Sequence, residues 1–490
     1  DLLYTFFYLS ALCTYLFYLN NNNEKQKRTI YAATLVLFLF SVLSKGMAVS
    51  FSLTLFAIDY FLNRKISRGT IVEKIPFLLV SIIFGIVAIM AQHQTQALDI
   101  KQYNFFERLL FSSYGLITYL WKLILPIDSS IFYSYPLKVD GMYPIIYYIA
   151  PFVVIALTYL IFKSQKFGKD ILFCFLFFII TIAMVLQLLP VGSSVVSERY
   201  TYIPYIGLFF ILARLISEQV KKNPSRTPLI IFGLAVFVIF CSFQTIKRVK
   251  VWHDSISLWT DAINKDKDNP YMYDNRANSY YLQNQYEQAV ADFTKAIELN
   301  YEEPKVFFKR GSSFYGEKKY AEAILDFNKA IELNSFDTIL FYKRAYAFAQ
   351  LGKYDEALSN YNKMLEYKPK FADAYHDRGF VYLYMKQYEK AIEDFNRAVA
   401  INPNYISAYL SRGSVYFMTE KLQEAISDYA LAIKYSPNYS EAYYNRAVAF
   451  LTIKQYPNAL KDALKAQELG YAIPPQLIND IQAGLNGKSN

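Results

Sequence analysis

The stretch SSVVSERYTYIPYIG, residues 193–207, sets Glu198, Arg199, Tyr200, Tyr202 and Tyr205 on a short link between two apolar runs. A guanidinium is a planar fork that matches the oxygens of phosphate. A neighbouring carboxylate can orient such a fork or act as a base. Tyrosine rings stack on flat ligands or rest at a membrane–water boundary. The same five residues also suit a plainer role, an interfacial ion pair inside an aromatic belt. A second isolated cation, Lys45 in Ser44-Lys45-Gly46, interrupts another apolar stretch.

The elements that must position these groups follow from composition. The chain has 490 residues and a net charge of +10. Residues 261–490 carry 28 Lys/Arg against 29 Asp/Glu, whereas residues 1–260 carry 23 against 12. The excess of positive charge sits in short links between apolar runs, which speaks for membrane topology and against nucleic acid as a partner. A spanning helix needs about 20 apolar residues. Such runs are expected at 2–19, 30–44, 47–62, 72–91, 144–162, 171–189, 203–219 and 229–246. The links NEKQKRT, NRKISRGTIVEK, KSQKFGK and KKNPSR hold most of the intervening cations. Placing all four in the cytoplasm puts Lys45, Arg199 and everything after residue 246 outside. Residues 108–126 then cannot cross and are expected to lie at the interface. Cys13, Cys174 and Cys241 have no spaced partners, and the three histidines are scattered, so neither a disulfide framework nor a metal site is expected.

The second half repeats. Arg276, Arg310, Arg344, Arg378, Arg412 and Arg446 follow one another at 34-residue intervals, as do Ala289, Ala323, Ala357, Ala391, Ala425 and Ala459. Aromatic residues recur at Phe293, Phe327, Tyr361, Phe395 and Tyr429. This pattern resembles the tetratricopeptide repeat in six copies, which implies stacked helix pairs enclosing a concave groove. Phe308, Tyr342, His376 and Tyr444, with Tyr315 and Phe380 one turn along, are expected on the groove side. Each of them also suits plain packing between helices. The arginines occupy a site that this repeat usually keeps apolar. A half-buried charge needs a partner, and Asp292, Asp326, Asn360, Asp394, Asp428 and Asp462 each lie 16 residues further on. Contacts within a repeat or to its neighbour are therefore expected.

Two membrane stretches, LFLFSVLSKGMAVSFSLTLFAID (37–59) and SERYTYIPYIGLFFILA (197–213), join this array. Together they resemble the transmembrane-and-tetratricopeptide O-mannosyltransferase family, of the GT-C class of integral membrane glycosyltransferases. The family usually shows Ser-Lys-Glu where this chain has Ser44-Lys45-Gly46, and Asp-Arg-Tyr where it has Glu198-Arg199-Tyr200. The fold class implied is all-α, a polytopic GT-C-like bundle followed by an α-solenoid. Its parts are a multi-span domain at 1–247, a linker and capping helix at 248–269, six repeats at 270–469, and a closing helix and tail at 470–490. The implied reaction moves a sugar, mannose in the family, from a polyprenyl-phosphate donor to a protein hydroxyl at a multi-pass cell membrane. The repeats would recruit the protein or peptide acceptor outside, and membrane lipid is a second partner. Lys45 and Arg199 would hold the donor phosphate, with Glu198, Tyr200 and Tyr202 in support. Family members carry Gly-Arg-x-Asp-Leu-Leu where this sequence begins Asp1-Leu2-Leu3. The resemblance thus implies upstream helices that hold the catalytic acid, leaving Asp1 as the one candidate here and this segment inactive alone. A different class of function also fits: a non-catalytic membrane scaffold whose repeats assemble partner proteins.

Overall fold

The computed structural model describes residues 1–94, 103–136, 138, 140–163, 168–186, 188, 194–333 and 337–487. The end of the apolar segment 171–189, the centre of the basic link 163–169 and the tail beyond 487 lie outside them, and so does the side chain of His93. Apart from one short ladder the regular structure of the described residues is all-α, in two compact units, residues 1–267 and 268–490.

The first unit begins with the helices α1 (Leu2–Asn20) and α2 (Glu24–Ser44), packed against each other. Asn23 starts α2 by accepting the amides of Lys25 and Gln26 at 3.1 and 3.3 Å, which satisfies donors the first turn leaves open. After Lys45 the expected span 47–62 is not one long helix. A 3₁₀ turn, Gly46–Ser50, leads into α3 (Phe51–Phe61), which is only 11 residues long. Next come α4 (Arg68–Val72), α5 (Ile75–Gln94) and α6 (Phe105–Ile124), the last opened by a reciprocal cap between Asn104 and Glu107. Strand β1 (Tyr133–Ser134) pairs antiparallel with β2 (Ser194–Val196). The remaining helices are α7 (Ile145–Lys163), α8 (Gly168–Ile182), α9 (Pro204–Lys222), α10 (Thr227–Val251) and α11 (Ser255–Lys265).

Aromatic rings fill the core, where Phe38 stacks on Phe51 at 4.7 Å. A charged cluster closes one end. The Lys74 ammonium is fully buried and 2.5 Å from Asp59, and Arg64 bridges Asp59 at 2.8 Å and Glu73 at 3.0 Å. The Tyr15 hydroxyl donates to Glu73 at 2.5 Å. Gly207 lets α9 pass close to α8, since a Cβ there would come 2.7 Å from the Cys174 carbonyl oxygen.

Among the described residues, five stretches are helical, long and apolar enough to cross a membrane: Leu2–Asn20, Glu24–Ser44, Arg68–Ala91, Ile145–Lys163 and Pro224–Val251. α10 buries no residue at all, and Leu229, Phe232, Ile239 and Phe243 on it are each about two-thirds exposed. α9 reaches 19 residues, but Arg214, Glu218, Lys221 and Lys222 break its apolar run. α11, read from sequence as a linker and cap, groups with the first unit. Its Lys265 donates to the Ser129 carbonyl at 2.6 Å, and its Asp261 pairs with Arg248 at 2.5 Å.

The second unit is twelve helices in six pairs, from α12 (Pro270–Leu282) and α13 (Tyr286–Glu298) to α22 (Ser440–Thr452) and α23 (Tyr456–Glu468), closed by α24 (Pro475–Leu485). The recurring alanines and the rings of Phe293, Phe327, Tyr361, Phe395 and Tyr429 are buried between helices. Each such ring contributes about 2–3 kcal/mol of apolar burial. Between the helices of every pair one residue adopts positive φ: Asn284, Lys318, Gly352, Lys386, Glu420 and Lys454. Only one of the six is the glycine that this conformation favours.

Candidate functional site

The link bearing Glu198 is held in place by sequence-distant tyrosines. β2 pairs with β1 and delivers the chain to a single 3₁₀ turn, Glu198–Tyr200. The Tyr119 hydroxyl on α6 accepts the Ser197 amide at 2.9 Å, and the Tyr205 hydroxyl donates back to the Tyr119 carbonyl at 2.7 Å. Pro204 then starts α9.

Lys45 and Arg199 meet at one ring. The Lys45 ammonium stands 4.1 Å from the centroid of Tyr200, and the Arg199 guanidinium 5.1 Å from it. Arg199 also donates to the Tyr200 hydroxyl at 3.1 Å. Lys45 is ion-paired with Asp1 as well. Burial, with Arg199 nearby, holds the Lys45 ammonium below the usual lysine range. Asp1, Glu198, Arg199 and Tyr202 line one cleft of about 640 Å³, together with Lys122, Trp252 and four others. Tyr202 is largely exposed there.

Glu198 does not do what its sequence position suggests. Consecutive residues on a 3₁₀ turn point apart, and among the described residues Glu198 makes no ion pair with Arg199. It accepts the Tyr133 hydroxyl and lies 3.7 Å from Lys122. Sequence reading placed Lys122 at the membrane interface with residues 108–126, and did not bring it or Tyr133 to Glu198.

The expected groove residues are all at least half-buried against other rings. Phe308 packs on Phe327, Tyr315 on Tyr320 and Tyr346, and Tyr444 on Tyr471. Tyr342 contacts Tyr361 and donates to Asp377 at 2.7 Å. His376 is buried among Phe380, Phe395 and Tyr405, with Asp377 at 3.2 Å from Nδ1 and Ser411 at 3.4 Å from Nε2. Sequence reading passed over the groove's charges. Lys309 and Lys343 sit at equivalent places in successive repeats, and Asp377 occupies that place in the next.

The arginine series forms a ladder. Arg276, Arg310, Arg378, Arg412 and Arg446 each grip the carboxylate 16 residues on with two nitrogens, at 2.6–2.9 Å. A third nitrogen of Arg310, Arg378 and Arg412 reaches back to Thr294, Asn362 and Asn396 in the preceding repeat, at 3.1, 2.6 and 2.6 Å. Arg344 has Asn360 at 2.8 Å and Asn328 at 2.7 Å but no carboxylate. Burial accordingly lowers its proton affinity, while Arg378 and Arg412 stay above the usual range beside their aspartates.

No curated protein matches the chain. Among solved structures, a MamA fragment from Desulfovibrio magneticus RS-1 is 23% identical over 34% of this chain and 94% of its own, with a TM-score of 0.33. The C-terminal part of a TPR repeat-containing protein from Cytophaga hutchinsonii is 18% identical over 46% and 92%, with a TM-score of 0.40. A Pseudomonas aeruginosa pilF structure is 18% identical over 45% and 99%, with a TM-score of 0.37. Sequence models of the tetratricopeptide repeat match residues 275–300, 304–337, 372–405 and 410–472, and a TPR repeat model matches 345–386. With six helix pairs at a 34-residue period, the second unit is a tetratricopeptide-repeat array.

Proposed function

We propose that the chain is a membrane-anchored scaffold whose tetratricopeptide array holds partner proteins. The observation that carries this reading is the pairing of two surfaces in one chain. One is a set of long helices with exposed apolar sides, of which α10 is the extreme, and exposed apolar patches of this size call for lipid or protein cover. The other is a repeat array of a kind that mediates protein–protein interaction. With Gly46–Phe61, α8 and α9 crossing beside the five long stretches, the basic links gather on the cytoplasmic side and the array would lie outside the cell membrane. Photo-crosslinkers at Tyr346 in the groove and at Glu332, on a second helix, test the scaffold reading in cells. Discrete protein adducts are expected from Tyr346. Equal yields from both positions would sink it.

The gathering of Lys45, Arg199 and Tyr200 beside Asp1 favours a second reading, transfer of a sugar from a polyprenyl-phosphate donor. Two cations on one ring, next to an open cleft, suit a phosphate whose negative charge grows as it leaves. Assayed in the full encoded protein, Arg199→Ala should then cut transfer at least about 100-fold, with Arg199→Lys in between. Undiminished transfer by the alanine variant would remove Arg199 from the site.

A further inference from the structure

The groove of the array carries its charges in order. On α14 (Pro304–Gly316) stand Lys305 and Lys309, and on α16 (Thr338–Gln350) stands Lys343. On α18 (Ala372–Tyr384) stand Asp373 and Asp377. α14, α16 and α18 are the first helices of consecutive repeats and contact one another in turn.

The two poles differ in how their charges are met. Among the described residues, no carboxylate lies within 4 Å of the lysine ammoniums. Lys343 rests 5.4 Å from the Tyr315 ring and 5.9 Å from Phe308, and reaches the Tyr281 hydroxyl at 3.4 Å. Lys305 stands 5.6 Å from the Tyr301 ring. Lys309 is half-buried, and burial lowers its proton affinity. Asp274 is 3% exposed and has one carboxylate oxygen with no hydrogen-bond partner; it acts on Lys309 and Lys305 without pairing with either. Ser312, one turn beyond Lys309 and equally buried, likewise has an unpartnered hydroxyl. At the acidic pole Asp377 accepts the Tyr342 hydroxyl at 2.7 Å and lies 3.2 Å from Nδ1 of His376.

Resting on the scaffold reading, we infer that the groove takes an extended segment of a partner protein in which acidic and basic residues are spaced to match these poles. The acidic residues lie over Lys305, Lys309 and Lys343, and the basic residue over Asp373 and Asp377. Charge complementarity selects this occupant, because a like-charged or reversed segment places equal charges against each other. Neighbouring helices sit about 8–10 Å apart, and an extended chain rises about 3.3 Å per residue. The opposite charges of the segment are therefore about three to six residues apart. The half-buried rings between the poles take its apolar side chains.

A library of random dodecapeptides displayed on phage, panned against the full chain in lipid nanodiscs, tests this. Enriched peptides should carry an acidic and a basic residue at that spacing. Lys309→Glu/Lys343→Glu should weaken binding of an enriched synthetic peptide at least about tenfold. Asp373→Lys should remove the preference for the basic residue. Lys309→Gln/Lys343→Gln serves if the reversal fails to fold, as judged by helicity from circular dichroism. Enriched peptides without this charge order, or with unchanged affinity for the folded variants, overturn the inference and leave the scaffold standing. No enrichment over empty nanodiscs overturns both.

Discussion

The charged cluster of Asp59, Arg64, Glu73 and Lys74 in the first unit and the arginine ladder in the second solve one problem in two ways. Both take carboxylates and cations out of water, which costs several kcal/mol per ion unless partners replace the lost hydration. The ladder does it with one geometry used repeatedly, a two-nitrogen grip on a residue 16 further along. The cluster does it once, with Asp59 from α3, three side chains from the two links that follow it, and a tyrosine from α1. The repeated solution is robust to a local error; the single one is not.

That contrast sets the largest expected effect. Asp59→Ala leaves Lys74 fully buried without its nearest carboxylate and should cost about 3–5 kcal/mol. Asp428→Ala strands Arg412, but this guanidinium keeps Asn396 and has some access to solvent, so about 2–3 kcal/mol is expected. Chemical unfolding followed by circular dichroism compares the two, and equal losses would erase the distinction between the regions.

A smaller change sharpens it. Asn360 stands where the other repeats have aspartate, and Arg344 is the rung that burial leaves less basic. Asn360→Asp should restore the two-nitrogen grip and stabilise the array by about 1 kcal/mol. A destabilised variant would mean that the pocket is shaped for the amide, whose nitrogen now donates to the Glu356 carbonyl at 2.7 Å.

How far the sequence revealed these arrangements follows from the same contrast. Periodicity exposed the array, its buried rings and the arginine partners, because six copies multiply one weak signal into a clear one. The first unit offered no such averaging. Its cluster joins Tyr15, Asp59, Arg64 and Glu73, and the Glu198 site joins Tyr133 and Lys122 from 65 and 76 positions away. Local pattern carries nothing about such meetings. Hydropathy marked the apolar segments, but it could not show that 47–62 opens with a 3₁₀ turn.

The smallest expected effect concerns Asp274. Burial raises its carboxyl above the ordinary range; Lys309 and Lys305 oppose the shift and Glu303 adds to it. A carboxyl raised in the folded state binds its proton more tightly there than in the unfolded chain. Its contribution to stability is therefore full below the unfolded-state value and lost as pH rises through the folded one. Asp274→Asn should be more stable than wild type at neutral pH, with the advantage shrinking as pH falls through the raised folded value and gone below the unfolded-state value of about 4. An advantage that grows toward acid would reverse the assignment.

The ladder also has a mechanical side. Arg310, Arg378 and Arg412 each fasten the second helix of their own repeat to that of the repeat before. Pulled end to end, the array cannot lengthen by sliding one repeat past another without tearing a guanidinium fork, so it resists as a row of stiff links in series. Such a row yields first where one link is weakest. That place is the junction of the fifth and sixth repeats, where Arg446 grips Asp462 and, among the described residues, reaches no side chain of the repeat before.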